Sequence, residues 1–278
     1  MVNTDRLTLP ASDGTPLVLS FFPTEGAARG ILALVHGLGD YSGCFTRMID
    51  FFTNAGYHVA AIDMHGNGAA GGLRGHIERF ELFYEDIDLL LQQARAHFGD
   101  LPIVLYGHSL GGNLVLNYAL RRKPELAGIV SSAPLIRLKK HAVLTRIGAE
   151  VLNLVAPRLS LDAGIDTDNL THDAQIVEEY VNDPLVHGQA TMRLLSQALR
   201  ASRWAQKHAQ AFPVPLLLIH GSADCITDPA ASARFARTVP QQLVEFRLFD
   251  GLYHTLHNEV RREEVYQTVL AFFQRVIY

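Results

Sequence analysis

The segment Gly107-His108-Ser109-Leu110-Gly111 sets a serine at what reads as a tight strand-to-helix turn. Before it runs Leu101-Pro102-Ile103-Val104-Leu105-Tyr106, apolar and of strand length. After it, Gly112-Asn113-Leu114-Val115-Leu116-Asn117-Tyr118-Ala119-Leu120 has helical character, stopped by Pro124. So sharp a turn forces the serine into a strained backbone conformation. It also needs nearly bare neighbours for strand and helix to pack, and Gly107 and Gly111 supply them. The turn lifts the Ser109 hydroxyl above the sheet with a helix N-terminus beneath it, which is where a nucleophile belongs.

A serine hydroxyl attacks only when a base takes its proton, and the base must be oriented by a third group. The chain has 13 histidines, so position has to choose among them. In nucleophile-turn folds the partners arrive in the order serine, acid, histidine, from loops at the C-terminal ends of later strands. Asp224 stands in such a loop, in His220-Gly221-Ser222-Ala223-Asp224, and His254 in another, in Asp250-Gly251-Leu252-Tyr253-His254. Asp228 and His257 are the alternatives. Asp228 precedes Pro229 and reads equally as a helix cap, and His257 lies one helical turn past His254. An acyl-transfer oxyanion needs two preorganised donors. Leu110 N–H, at the start of the helix behind the serine, is one. Leu38 N–H, in the turn His36-Gly37-Leu38-Gly39, is the other. His36 itself reads as a hydrogen-bonding brace for that turn rather than a catalyst.

Positioning these groups requires a sheet with one functional edge. Leu17 to Phe22, Gly30 to Val35, Tyr57 to Asp63, Leu101 to Tyr106, Leu126 to Ser132, Pro215 to His220 and Leu243 to Phe249 read as strands. Helices are expected around Phe45 to Ala55, Phe80 to Phe98 and Arg262 to Val276. Near-continuous apolar strands alternating with helices imply an α/β fold with a mostly parallel sheet covered on both faces. The alternation breaks between about Leu135 and Phe212, where helical segments such as Ala142 to Val155 occur without a convincing strand. The expected organisation is a core in two parts, 1–134 and 213–278, with a helical cap, 135–212, inserted at the edge where ligands bind.

Composition narrows the remaining classes. The chain has 278 residues, 48% hydrophobic and 19% charged, with a net charge of -4, which gives no electrostatic reason to expect nucleic acid as a partner. Two cysteines, Cys44 and Cys225, are too few for a disulfide framework, and Cys225 reads as a packed thiol. The first residues lack a signal-peptide apolar stretch, and no run approaches the roughly 20 apolar residues of a membrane span. The expectation is a cytoplasmic protein, peripheral at membranes at most. Asp63, His65 and His76 match no compact metal motif, so no metal is expected. The glycine-rich run from Asp63 to Gly72 lacks the lysine of a phosphate-binding loop, so no nucleotide cofactor is expected either.

Taken with His36-Gly37-Leu38-Gly39-Asp40-Tyr41-Ser42-Gly43, Gly72-Leu73-Arg74-Gly75-His76-Ile77, Ser132-Ala133-Pro134, Leu170-Thr171-His172-Asp173, Asp183-Pro184-Leu185-Val186-His187 and Tyr253-His254-Thr255-Leu256-His257-Asn258-Glu259, the chain resembles the α/β-hydrolase superfamily. Within it, the resemblance is to the monoacylglycerol lipase and lysophospholipase branch, and it spans nearly the whole chain. It implies the α/β-hydrolase fold, with Ser109 as nucleophile, Asp224 as acid, His254 as base, and Leu38 and Leu110 as oxyanion donors. It further implies no cofactor and a small lipid ester substrate with one acyl chain, with transient contact between the cap and a membrane or lipid aggregate. A general carboxylesterase, a peptidase or amidase, and a non-catalytic ligand sensor on the same fold are the alternatives. One segment departs from the family pattern. Gly66-Asn67-Gly68-Ala69-Ala70 stands where a Gly-His-Gly-x-Ser segment is usual, which bears on loop packing and head-group contacts.

Overall fold

In Ile31-Leu32-Ala33-Leu34-Val35 every side chain is apolar and every residue is buried, because the strand lies mid-sheet between two helical layers. The computed structural model describes residues 4–139, 142–162 and 167–277. The first half runs β1 (Asp5–Pro10), β2 (Pro16–Phe22), β3 (Ile31–Val35), α1 (Thr46–Asn54), β4 (His58–Asp63), α2 (Glu81–Phe98), β5 (Ile103–His108), α3 (Leu110–Arg122) and β6 (Gly128–Ser132). Then come α4 (Ala142–Val155), β7 (Ser160–Asp162), α5 (Ala174–Asn182), β8 (Gln189–Thr191) and α6 (Met192–His208). The chain closes with β9 (Leu216–Gly221), α7 (Pro229–Thr238), β10 (Val244–Phe249) and α8 (Arg262–Ile277).

The eight-stranded sheet has the order β1-β2-β4-β3-β5-β6-β9-β10. It is parallel from β4 to β10 and antiparallel where β2 meets β1 and β4. This is the α/β-hydrolase fold. Alternation along β3 sends Leu32 and Leu34 into a layer with Phe52 of α1 and Phe273 of α8. Ile31, Ala33 and Val35 face the other layer, with Phe83 of α2, Leu114 of α3 and Phe235 of α7. The chain leaves β3 toward β4 on one side, whereas β5 is followed by β6, β9 and β10 on the other. The adjacent C-terminal ends of β3 and β5 therefore border the crevice where such sheets bind ligands.

Two features differ from the sequence reading. β1 is an additional antiparallel edge strand, paired with β2 from Asp5↔Phe21 to Pro10↔Pro16, and its mostly exposed face gives it little apolar signature. Between β6 and β9, where only helices were expected, β7 and β8 pair antiparallel through Ser160↔Thr191, Leu161↔Ala190 and Asp162↔Gln189. Three-residue strands are too short to show a period of two.

Candidate active site

Ser109 sits between β5 and α3 with φ 55° and ψ −113°, outside the regions a side-chain-bearing residue normally occupies. Such a residue carries about 1–3 kcal/mol of strain, held by its surroundings. Here Ser109 N–H donates to Ser132 O at 2.9 Å, and Ser109 O accepts from Asn113 N at 3.0 Å and Leu135 N at 2.9 Å. The flanking glycines are needed for close approach. A Cβ on Gly107 would lie 2.3 Å from Gly111 O, and one on Gly111 would lie 2.3 Å from His36 O.

The structure brings Ser109, His254 and Asp224 into one chain of hydrogen bonds. Ser109 Oγ is 2.9 Å from His254 Nε2, and His254 Nδ1 is 2.7 Å from Asp224 Oδ2. Since an ionised carboxylate only accepts, the proton of a neutral His254 sits on Nδ1, which leaves Nε2 to accept from the serine hydroxyl. Asp224 is fully buried. Burial alone would raise its pKa, but the adjacent imidazoles of His254 and His220, both hydrogen-bonded to it, hold the carboxyl well below the usual range. Backbone N–H groups of Ile226 and Thr227 donate to Oδ1 at 2.7 and 3.0 Å, and Thr227 Oγ1 donates to Oδ2 at 2.7 Å.

Asp228 lies apart and accepts from Ala230 N at 2.9 Å as the N-cap of α7, ahead of Pro229. His257 is buried with its ring stacked on Phe45, centroids 4.1 Å apart. Neither of its nitrogens has a hydrogen-bond partner among the described residues. His36 braces the turn after β3: its Nε2 accepts from Met64 N at 3.0 Å and its Nδ1–H donates to Gly37 O at 2.7 Å. Cys225 is half-buried, its thiol 3.4 Å from Ala223 O.

Leu38 and Leu110 both line the cavity onto which Ser109 opens. Leu110 is the first residue of α3, so its N–H has no acceptor within the helix. The Leu38 turn is fastened by Asn67, whose Oδ1 accepts from Gly39 N at 2.9 Å while its Nδ2 donates to His65 O at 2.8 Å. Asp63 organises the run that follows β4 by accepting from Ser42 N and Ala69 N at 2.9 and 3.0 Å. His65 is spent on Asp86 and Asp13, at 2.8 and 3.1 Å, and His76 on Thr191, at 3.0 Å. No cluster of residues suited to a metal ion occurs among the described residues.

The cavity measures about 240 Å³. Leu135, Leu138, Leu161, Leu170, Met192, Leu195 and Ile226 make its wall largely apolar. Sequence reasoning missed two of its polar residues, Asp40 and Tyr180. The Asp40 carboxyl is buried, which pushes its pKa up to about 6 even though Tyr180 OH and Gly37 N–H donate to it. Asp40 was legible only as an acid just beyond the His36-Gly37-Leu38-Gly39 turn, and Tyr180 carried no local signal. The described side chains of α4 do not line this cavity. Ile147 and Leu154 are 50% and 80% exposed, Val151 and Val155 lie between them, and the helix packs on α6 through Ala149 and the Glu150–Arg200 ion pair. The side chain of Leu144 is outside the described residues.

The profile of the family described as serine aminopeptidase, S33, matches residues 26–261. An uncharacterized abhydrolase domain-containing protein of Dictyostelium discoideum is 32% identical over the whole chain, which spans 29% of that protein's length. Phospholipase YtpA of Bacillus subtilis is 30% identical, with 89% of this chain and 96% of that protein covered. Among solved structures, a soluble variant of monoglyceride lipase from Saccharomyces cerevisiae in complex with a substrate analog is 26% identical. It superposes with a TM-score of 0.87 over 100% of this chain and 95% of that one.

Proposed function

The chain belongs to the serine aminopeptidase S33 family of α/β hydrolases, and from that premise we propose that it cleaves the carboxylic ester of single-acyl-chain lipids, of monoacylglycerol or lysophospholipid type, through an acyl-enzyme. The observation that carries this reading is the Ser109–His254–Asp224 hydrogen-bond chain at the floor of a mostly apolar cavity. His254 Nε2 takes the Ser109 proton as Oγ attacks the ester carbonyl carbon. Asp224 stays ionised, holding the ring in the correct tautomer and stabilising the imidazolium. The tetrahedral oxyanion is received by Leu38 N–H and Leu110 N–H. His254 returns the proton to the alcohol oxygen as the carbon–oxygen bond breaks, leaving the acyl group on Ser109. Water then repeats the sequence, with His254 as its base, and releases the fatty acid.

The alcohol end of the substrate meets Asp40 and Tyr180, whose remaining oxygen lone pairs can accept from free hydroxyl groups. The acyl chain lies along Leu138, Leu161, Met192 and Leu195. Residues 135–212 act as the cap over the site. Ile147, Val151, Leu154 and Val155 form an exposed apolar surface, with Leu159 and Leu161 also exposed, and Leu161 in addition lines the cavity. This surface rests on a membrane or lipid aggregate while one chain is drawn in. No described helix is long and apolar enough to cross a membrane.

The deciding experiment is hydrolysis of a panel of monoacylglycerols, lysophospholipids, short-chain esters and amino-acid anilides by the wild type and Ser109→Ala, alongside fluorophosphonate labelling. Each methylene buried contributes about 0.8 kcal/mol, roughly fourfold in binding, so monoacyl esters of medium and long chain should exceed acetyl esters in kcat/KM. Ser109→Ala should lose both labelling and turnover, by about 10³- to 10⁶-fold. Preference for the anilides, or turnover retained by Ser109→Ala, would overturn the reading.

A further inference from the structure

Asp224 is held from a second side by a histidine that the mechanism does not use. His220, at the end of β9, is completely buried, with Nε2 2.9 Å from Asp224 Oδ2 and Nδ1 2.8 Å from Ser232 Oγ on α7. Burial pushes the His220 pKa down despite the neighbouring carboxylate, so the ring is neutral and carries one N–H. The carboxylate can only accept, which puts that proton on Nε2. Nδ1 then holds a lone pair, and the Ser232 hydroxyl must donate to it. Ser232 is itself completely buried, so it has no solvent to choose instead. One continuous chain thus runs from Ser232 through His220, Asp224 and His254 to Ser109.

We infer that His220 is a positioning residue for the catalytic acid, with Ser232 selecting its tautomer, and that the pair sets both the orientation and the available charge of Asp224. The inference rests on the catalytic reading of Ser109, His254 and Asp224. Three side-chain donors converge on Oδ2: His254 Nδ1 at 2.7 Å, His220 Nε2 at 2.9 Å and Thr227 Oγ1 at 2.7 Å. Oδ1 is fixed by the backbone N–H groups of Ile226 and Thr227. The His220 bond does two things. It stops the carboxylate plane from swinging away from His254, and it draws on the same oxygen whose charge stabilises the His254 imidazolium. Removing it loosens the geometry while leaving more charge for His254.

These effects separate positioning from mere packing. His220→Phe keeps a ring between β9 and α7 but has no donor, whereas the amide nitrogen of His220→Gln reaches about as far as Nε2. The loss of one charge-assisted hydrogen bond corresponds to about a tenfold fall in kcat for His220→Phe. The pH at which kcat/KM reaches half its plateau should rise at the same time, because the freed charge favours the His254 imidazolium. His220→Gln should restore both quantities. Ser232→Ala, which leaves the ring in place, should move both in the same direction by a smaller amount. Full kcat and an unmoved half-plateau pH in a folded His220→Phe would overturn the inference, as would a Gln variant as impaired as the Phe variant. If His220→Phe does not fold, Ser232→Ala decides: a shifted half-plateau pH supports the assignment and an unshifted one overturns it. Fluorophosphonate labelling of the wild type tests Ser109 independently, so failure of the nucleophile reading is distinguishable from failure of this one.

Discussion

His257 should make the protein acid-labile, and His257→Phe should remove much of that lability. The His257 ring is buried between Phe45, on which it stacks, and His108, whose ring meets it edge-on at 4.8 Å. Burial, reinforced by His254, pushes the His257 pKa down from 6.5 to about 3. The folded state therefore resists a proton that the unfolded chain accepts readily. The resulting stability is fully present above the unfolded-state pKa and is lost as pH falls from there toward the folded-state value. One pH unit within that window is worth about 1.36 kcal/mol, so lowering the pH from about 6.5 to 5 costs about 2 kcal/mol at this residue. At the size of this chain that is about 4–8 °C in Tm. Phenylalanine keeps the stack on Phe45 and removes two nitrogens that have no partner among the described residues, each of which costs about 1–3 kcal/mol when buried. The variant should therefore be at least as stable as the wild type at pH 7.5, with the gap widening in its favour at pH 5. His108 is also held well below the usual histidine range, by burial and then by its histidine neighbours, and it bends both curves the same way. The difference between the two proteins isolates His257. Thermal or urea unfolding at the two pH values measures it. Parallel loss of stability in wild type and variant would refute the reasoning.

Two further substitutions discriminate between neighbouring residues. Asp224→Asn should lower kcat by about 10⁴-fold, because an amide favours the wrong histidine tautomer while preserving shape. Asp228→Asn should leave kcat within about twofold, since asparagine caps α7 as well as aspartate does; steady-state kinetics on one monoacyl ester checks both. Leu154→Asp, on the exposed face of α4, should depress turnover of micellar or vesicle-bound monoacyl ester while leaving a dissolved short-chain ester untouched. Equal loss on both substrates would mean that the face does not serve lipid contact.

The hydrogen-bonded trio Ser109, His254 and Asp224 was legible because each member lies in the turn or loop that follows a strand, at the same sheet edge. Glycine spacing marks Ser109, and chain order marks Asp224 and His254. Geometry that depends on several distant segments was not legible. Asp40 looks like any loop acid until Tyr180 is brought against it from α5. His220 looks like the polar end of an apolar strand until α7 presents Ser232. The α4 periodicity gave the helix but not which side faced inward. The Glu150 link to Arg200 and the packing of Ala149 place that side against α6, leaving the more apolar stripe outside.

Asn67 shows how far the consequences of one departure from the family pattern extend. Its amide is donor and acceptor at once, so a single side chain ties Gly39 in the turn after β3 to His65 in the turn after β4. The same two turns are then gripped by a residue between β6 and β9. His187 N–H donates to Gly39 O at 3.1 Å, and His187 Nε2–H donates to Gly66 O at 2.9 Å. Gly39 has φ 74°, and a Cβ there would lie 1.8 Å from His187 O, so this contact requires glycine. Thr191 N–H reaches Gly75 O at 2.9 Å on the far side of the same loop. Leu38 therefore sits in a turn held by the core on one flank and by the residues between β6 and β9 on the other. A shift of the residues between β6 and β9 would be felt in the turn that carries Leu38.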